Sequence, residues 1–256
     1  MRKIENVIEG LMAFFAFLLL VGPIYSIVEL FLNYIYGPID GMGNLTGLIT
    51  TSICGIIYAF WYRYMPFKEF NLFNPPTNKT YNLIILLLSG LGCQFFISSI
   101  LYFIEPLIKN IMASYGNTVE GLIQGHPAVV IIYSVIVAPI AEELIFRGVI
   151  FNRLLKGRDL ILANSLQAIL FALYHWDIIQ GAYAFTMGCL LGYVAYRYKS
   201  LFAAILLHMA INASAFLVIL IPLEKGVGYY LITGTIGMVL ISFFVYWLKG
   251  PDKKKV

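Results

Sequence analysis

Long apolar stretches are the feature that most limits how this chain can fold. Hydrophobic residues make up 61% of its 256 residues, and only 12% are charged. That charged fraction is about half of what an ordinary soluble domain carries. Several stretches reach the roughly 20 residues that a helix needs to cross a bilayer. The sequence therefore predicts an all-α, polytopic membrane protein.

Turn-rich breaks divide the chain into eight predicted spans. The breaks YGPIDGMGN and FNPPTNKT are rich in Gly, Pro and Asn, which interrupt helices. The predicted spans cover residues 10–33, 44–64, 81–104, 127–151, 160–176, 180–197, 201–221 and 227–248. We expect three parts, which are the first three helices with a connecting segment (1–126), a catalytic helical core (127–221), and the last helix with a basic tail (222–256).

The distribution of basic residues predicts the orientation of the spans. Alternate loops and both termini hold fourteen of the seventeen Lys and Arg residues, while Lys109 and Lys225 lie in the other loops and Arg147 lies within a span. Because Lys and Arg concentrate in cytoplasmic loops, we expect both termini in the cytoplasm. The basic residues are spread over span ends, so the positive net charge predicts contact with membrane lipids and no nucleic-acid partner.

The fourth predicted span carries three charged residues in the segment VIVAPIAEELIFRGVIF. Each charge at membrane depth costs roughly 2.5–3.5 kcal/mol on insertion scales, so Glu142, Glu143 and Arg147 need partners. Arg147 follows Glu143 by four residues, the spacing of an ion pair on a helix. Neighbouring helix positions point about 100° apart, so Glu142 is expected to face elsewhere. We therefore expect Glu142 to be the working carboxylate, with Glu143 and Arg147 supporting it; a purely structural ion pair would leave Glu142 unexplained.

Two histidines are predicted to share a site with Glu142. His175 ends the run LFALYH, and His208 begins HMAIN, in which Asn212 lies one turn later. Counting residues from the nearest cytoplasmic turns places Glu142 about 22 Å and His175 about 26 Å along their helices, but His208 only about 12 Å. The three depths agree if the hairpin between the fourth and fifth spans protrudes about 10 Å into the cytosol. The residues on the face of His175 that we expect to line this intramembrane chamber are Phe171 and Gln167.

A carboxylate, two imidazoles and an amide in one chamber suit the hydrolysis of a peptide bond. Glu142 can take a proton from a water that His175 also holds. His208 and Asn212 can donate hydrogen bonds to the oxyanion that develops on the substrate. The same Glu142, His175 and His208 can instead bind zinc and leave one position open. The motif HExxH is absent, so the sequence leaves the choice between these mechanisms open.

Three short motifs resemble those of a known family, in the same order. EELIFR is similar to EExxxR, FALYH to FxxxH, and HMAIN to HxxxN. These are the motifs of the CAAX-prenyl protease and bacteriocin-processing family of intramembrane proteases, also called type II CAAX endopeptidases or the abortive-infection family. The resemblance covers about residues 127–217 and leaves out the first three predicted spans.

The resemblance implies eight helices around a catalytic chamber that is open to the cytosol, in the membrane of a prokaryotic cell. It implies that Glu142 activates water, that His175 assists, and that His208 and Asn212 bind the oxyanion, with Glu143 and Arg147 completing the first motif. We expect no obligatory cofactor, with zinc as the alternative. Expected substrates are a prenylated CAAX protein or a small membrane-associated peptide. A non-catalytic bacteriocin-immunity protein stays open, and the oligomeric state is not indicated.

Overall fold

The computed structural model describes residues 2–38, 41–72, 79–156, 159–220 and 225–249. Within these ranges the backbone is almost entirely helical, and an isolated bridge between Asn71 and Ser200 is its only β pairing. The helices of the described residues are α1 Arg2–Tyr36, α2 Met42–Tyr64, α3 Lys79–Ile104, α4 Lys109–Ile123, α5 Pro127–Leu155, α6 Leu160–Tyr174, α7 Ile178–Tyr198, α8 Leu201–Leu220 and α9 Val227–Lys249. The predicted all-α, polytopic membrane protein is confirmed.

The predicted number of eight spans is not confirmed. Among the described residues, seven helices are long and apolar enough to cross a membrane. The predicted fifth span is helix α6, which has 15 residues and rises only about 22 Å. That rise is shorter than the roughly 30 Å of a bilayer core. Helix α6 ends early because Trp176 adopts a left-handed backbone conformation, with φ of 55°, and the chain turns into α7.

Some predicted features fall outside the described ranges. These are most of the break FNPPTNKT, the end of the span predicted at 201–221, the turn at residues 157–158 and the basic tail after residue 249. Polar residues 105–126, predicted to lie outside the spans, form a short 3₁₀ turn (Glu105–Leu107) and helix α4.

Helix α5 lies at the centre of the bundle. Helices α1 and α2 pack against it on one side, and α6 and α8 on the other, while α3 lies between α8 and α9. Every residue of the segment Glu143–Phe151 is buried. A helix that is apolar around its whole circumference is stable when other helices surround it, so the sequence of α5 accounts for its central place.

The backbone of α5 departs from regular α-helical geometry on both sides of Pro139. The segments Ile132–Val137 and Glu143–Phe151 are π-helical, and α-helical turns flank them. The N–H of Ala138 bonds the carbonyl of Tyr133, five residues back. Pro139 has no N–H with which to continue that register. π-helical turns, which are wider than α-helical ones, are rare in proteins and frequently occur at functional sites.

One end of the bundle, which we call the basic end, collects the loops that are rich in Lys and Arg. It contains the start of α1, the ends of α2, α5 and α7, and the start of α8. The contacts that join these elements are the ion pairs Arg153–Glu9 and Lys199–Glu69, a hydrogen bond from the Glu69 N–H to Asn152 Oδ1 at 2.6 Å, and the Asn71–Ser200 bridge. The structure thus groups these loops as their charges predict, and the membrane side they face stays a prediction.

Candidate active site

A cavity of about 260 Å³ lies beside α5. It is lined by Glu142 from α5, His175 from the turn after α6, and His208 and Asn212 from α8. Phe171, which was predicted to line the chamber, also lies on its wall. Three separate helices therefore bring the carboxylate, both imidazoles and the amide to one space.

The contacts at the basic end explain why these side chains lie at the same depth. Asn152 bonds Glu69, and Asn71, two residues further on, pairs with Ser200. Asn152 and Ser200 are therefore at similar levels. Glu142 precedes Asn152 by ten residues of α5, and His208 follows Ser200 by eight residues of α8, so each lies roughly two to three helical turns from this level.

Glu143 forms a buried ion pair and also holds a histidine. Arg147 Nη1 donates to Glu143 Oε1 at 2.8 Å, and both side chains are fully buried. His208 Nδ1 lies 2.9 Å from the same oxygen. The carboxylate paired with a guanidinium is ionised and can only accept, so Nδ1 of His208 carries the proton. The other ring nitrogen of His208, Nε2, therefore faces the cavity.

Glu142 faces the other nitrogen of this imidazole. Its Oε2 lies 3.7 Å from His208 Nε2, and the carboxylate is only 12% exposed. This separation is longer than a direct hydrogen bond, and it suits a single water that bonds to both atoms. Glu142 and Glu143 thus face different nitrogens of one imidazole, although they are adjacent in the chain.

His175 is oriented by its own helix. Its Nδ1 lies 2.8 Å from the carbonyl oxygen of Phe171, so Nδ1 donates and neutral His175 also presents the lone pair of Nε2. The ring of Phe171 contacts both imidazoles edge-on, with centroid separations of 4.7 Å to His175 and 5.9 Å to His208. The guanidinium of Arg147 lies 4.5 Å from the centre of the same ring. Phe171 therefore fixes three polar groups at once.

Asn212 is held by a carbonyl that Pro139 leaves free. Its Nδ2 donates to the backbone oxygen of Ser134 at 2.8 Å. In the π-helical register of this segment, the N–H of residue 139 would bond that same oxygen, and proline has none. The amide of Asn212 fills the missing hydrogen bond and keeps its second N–H available.

Part of the chain is similar to known proteins. Residues 124–214 match the family model described as type II CAAX prenyl endopeptidase Rce1-like. This match supports the predicted resemblance to the CAAX-prenyl protease and bacteriocin-processing family. The chain is also similar to the Bacillus subtilis protein named "Putative membrane peptidase YdiL", with 28% identity over 184 residues, which is 71% of this chain and 74% of the relative. No solved structure matches the chain.

The region that the family model matches contains all the motif residues that line the cavity. It begins just before α5, includes α6 and α7, and ends within α8. Helices α1 and α2, which lie outside it, pack against α5. The family match therefore supports a protease, and the surrounding helices supply the rest of the fold.

Gln167 does not lie on the cavity wall, contrary to the prediction. It is fully buried, and its Nε2 donates to the Gly188 carbonyl at 2.9 Å and to Asn164 Oδ1 at 2.8 Å. It shares a helical face with His175, but α7 covers its turn of α6. Helical spacing gave the correct face of α6, whereas the coverage by α7 depends on tertiary packing.

Sequence reasoning missed several residues that shape the site. Asp177 accepts a hydrogen bond from the Gln180 N–H at 2.7 Å and thereby begins α7 immediately after His175. An aspartate before an apolar helix is a recognisable N-cap, so this role was open to prediction. The cavity-lining Tyr133, Tyr174 and Tyr183 carried no comparable signal, because Tyr is common throughout the chain.

The site does not form a set of metal ligands. Both histidines donate through Nδ1, which is usual for histidines that bind metal through Nε2. However, no group of three His, Cys, Asp or Glu side chains in the described part of the chain is arranged to hold a metal ion. Glu142, His175 and His208 line one cavity, and whether zinc takes part in the reaction there stays a prediction.

Proposed function

We propose that this chain is an intramembrane endopeptidase that hydrolyses a peptide bond with a water molecule activated by Glu142. The observation that supports this most directly is the 3.7 Å separation of Glu142 Oε2 and His208 Nε2 in a cavity that His175 also lines. Glu143 is already neutralised by Arg147, so Glu142 is the carboxylate with capacity for catalysis.

The proposed reaction moves one proton through Glu142. The carboxylate takes a proton from the water, and the water oxygen bonds to the carbonyl carbon of the scissile peptide. The protonated glutamate then gives this proton to the departing nitrogen as the C–N bond breaks. The lone pair of His175 Nε2 accepts a hydrogen bond from the other O–H of the water and orients the water for attack.

The proposed roles of His208 and Asn212 differ from the simple oxyanion pair implied by the resemblance. Because Nδ1 of His208 donates to Glu143, Nε2 carries a hydrogen only when the whole ring is protonated. It can stabilise an oxyanion only after it has accepted a proton. The free N–H of Asn212 is a donor from the start, so we assign the first oxyanion contact to Asn212.

The proposed substrate is a prenylated CAAX protein or a small membrane-associated peptide precursor. The matched family model names a CAAX prenyl endopeptidase, which favours the first class. The apolar side chains on the cavity wall suit a lipid chain or an apolar peptide, and they include Phe171, Met187 and Ile211. We further propose that no metal is required, and that the protein lies in a prokaryotic cell membrane with both termini in the cytoplasm, in contact with membrane lipids.

A comparison of cellular peptides tests the activity and the substrate together. Glu142→Gln keeps the size and hydrogen-bonding capacity of the side chain but removes the base. Glu120→Gln, at an exposed position on α4, is the matched control. We expect a cleavage product that is present with the wild type and the control and absent with Glu142→Gln. An unchanged peptide profile with a folded Glu142→Gln protein would favour a non-catalytic role, such as bacteriocin immunity.

A further inference from the structure

A second cavity, which we call the vestibule, adjoins the candidate active site. Its volume is about 290 Å³, and it lies between α1, α2, α4 and α5. Its wall carries hydroxyl and amide side chains, which are those of Tyr25, Asn44, Thr50, Thr51, Thr118 and Tyr133. Hydroxyl and amide groups on the wall of a cavity between apolar helices can hold water molecules.

The vestibule and the catalytic cavity share one wall. Leu122, Tyr133 and Tyr174 line both of them. The Tyr133 ring packs directly on α2, because a Cβ at Gly47 would lie only 2.9 Å from its Cζ. The hydroxyl of Tyr133 also interacts with the Thr51 side chain. Two tyrosine side chains and a leucine therefore separate the vestibule from the space that holds Glu142.

Thr50 gives independent evidence that the vestibule contains a polar ligand. Threonine and serine residues on the same helix bond to carbonyls four residues back, as Thr46 does at 3.0 Å and Ser52 at 2.7 Å. Thr50 is 1% exposed, and its Oγ1 has no hydrogen-bond partner in the protein. A buried hydroxyl without a partner costs about 1–3 kcal/mol, so a water in the vestibule would satisfy it.

Helix α4 forms part of the vestibule wall at the end of the bundle opposite the basic end. Asn44, at the start of α2, donates through Nδ2 to the carbonyls of Gln124 at 2.5 Å and Gly121 at 3.3 Å. On the other side of α4, the Tyr115 ring contacts Tyr183 of the catalytic cavity. Burial raises the pKa of the Tyr115 hydroxyl, so this contact stays uncharged. The same short helix thus lies over both cavities.

We propose that the vestibule stores the water that the active site consumes and admits it from the end opposite the basic loops. Its volume corresponds to on the order of ten water molecules, and one water is consumed for each peptide bond cleaved. The use of this water in catalysis rests on the proposed function, whereas the presence of water in the vestibule does not. With the basic end in the cytoplasm, this water enters from the opposite side of the membrane, unlike a chamber open only to the cytosol.

Cysteine labelling tests the water content without any assay of activity. In a chain whose native Cys54, Cys93 and Cys189 are replaced by alanine, Thr50→Cys is treated with a charged, membrane-impermeant thiol reagent. Ile53→Cys, which is at a similar depth on α2 but at the outer surface, is the control. We expect Thr50→Cys to react about tenfold faster, because a thiol must ionise in water before it reacts. Thr118→Cys, on α4, is a second vestibule position in case Thr50→Cys does not fold.

The membrane side and the connection to catalysis need two further readouts. In sealed vesicles, labelling is expected from the side opposite the basic end, and labelling only from the basic side would overturn the proposed route.

Modified Thr50→Cys is expected to show a lower kcat with an unchanged KM. A thiol that is as unreactive as Ile53→Cys overturns the proposal, as does a modified protein with full kcat. Protection of the thiol by bound substrate would assign the vestibule to peptide instead. If the protein proves not to be a protease, the labelling result stays the same, so the two proposals fail separately.

Discussion

Nδ1 of His208 lies 2.9 Å from Oε1 of Glu143, the same oxygen that accepts a hydrogen bond from Arg147. The second glutamate of the first motif is therefore bonded to both its own helix and α8. It neutralises a buried arginine and fixes which nitrogen of His208 faces the cavity. This double role explains why two adjacent glutamates can serve one site in different ways.

Replacing the Glu143–Arg147 pair distinguishes its structural role from its positioning role. Glu143→Gln leaves the buried guanidinium unpaired, which we expect to destabilise the protein by about 3–5 kcal/mol. The double variant Glu143→Leu with Arg147→Leu is expected to recover most of the melting temperature in detergent, because no buried charge remains. Its activity is expected to stay low, since His208 has lost its acceptor. A double variant that is stable and fully active would show that Glu143 does not position His208.

Pro139→Ala tests how Asn212 is held. The new N–H at position 139 can bond to the Ser134 carbonyl and so compete with the amide of Asn212. We expect kcat to fall about tenfold, equivalent to 1.36 kcal/mol of transition-state stabilisation, with little change in melting temperature. Pro127→Ala, at the first turn of the same helix, is the control and is expected to retain its kcat. Equal rates for the two variants would contradict the role given to the Ser134 carbonyl.

Phe171→Leu tests the ring that contacts Arg147 and both imidazoles. Loss of the buried cation–π contact is expected to cost about 2 kcal/mol of stability and to lower kcat, because His175 and His208 gain freedom. Phe70→Leu removes an equally buried phenylalanine away from the cavity. We expect that variant to lose stability while its kcat is retained. Identical kinetic effects in both variants would indicate that Phe171 contributes packing alone.

Metal content separates the two hydrolytic mechanisms. Purified active protein is expected to contain much less than one zinc per chain, and a strong chelator is expected to leave its activity unchanged. The reason is that Glu142, His175 and His208 line a cavity without forming a ligand set. Stoichiometric zinc, together with activity that is lost on chelation and restored by zinc, would replace the mechanism proposed above.

The sequence predicted the parts of the site that depend on helical spacing. The Glu143–Arg147 ion pair follows from a separation of four residues, and the similar depth of Glu142 and His175 follows from counting residues to the turn between their helices. The same reasoning placed His175 close to Phe171, which accepts its Nδ1 hydrogen bond. These relationships lie within one helix or are measured along one axis, so regular helix geometry determines them.

The relationships between helices were not open to the same reasoning. The bond between His208 and Glu143 depends on how α8 packs against α5, and the burial of Gln167 depends on α7. Regular α-helical geometry could not identify Ser134 as the carbonyl that Pro139 leaves free, because the π-helical register shifts that carbonyl by one residue. The short helix α6 was predicted as a full span because its sequence is mostly apolar, whereas a turn at Trp176 ends it.

The central claim is that Glu142 and His175 act on the same water molecule. A double-mutant cycle with Glu142→Gln and His175→Asn, measured as single-turnover cleavage by purified protein, tests it most directly. Residues that act as a unit give non-additive losses, so the double variant is expected to be little slower than Glu142→Gln alone. Rate losses that multiply in the double variant, or a Glu142→Gln protein with near-normal turnover, would contradict the claim.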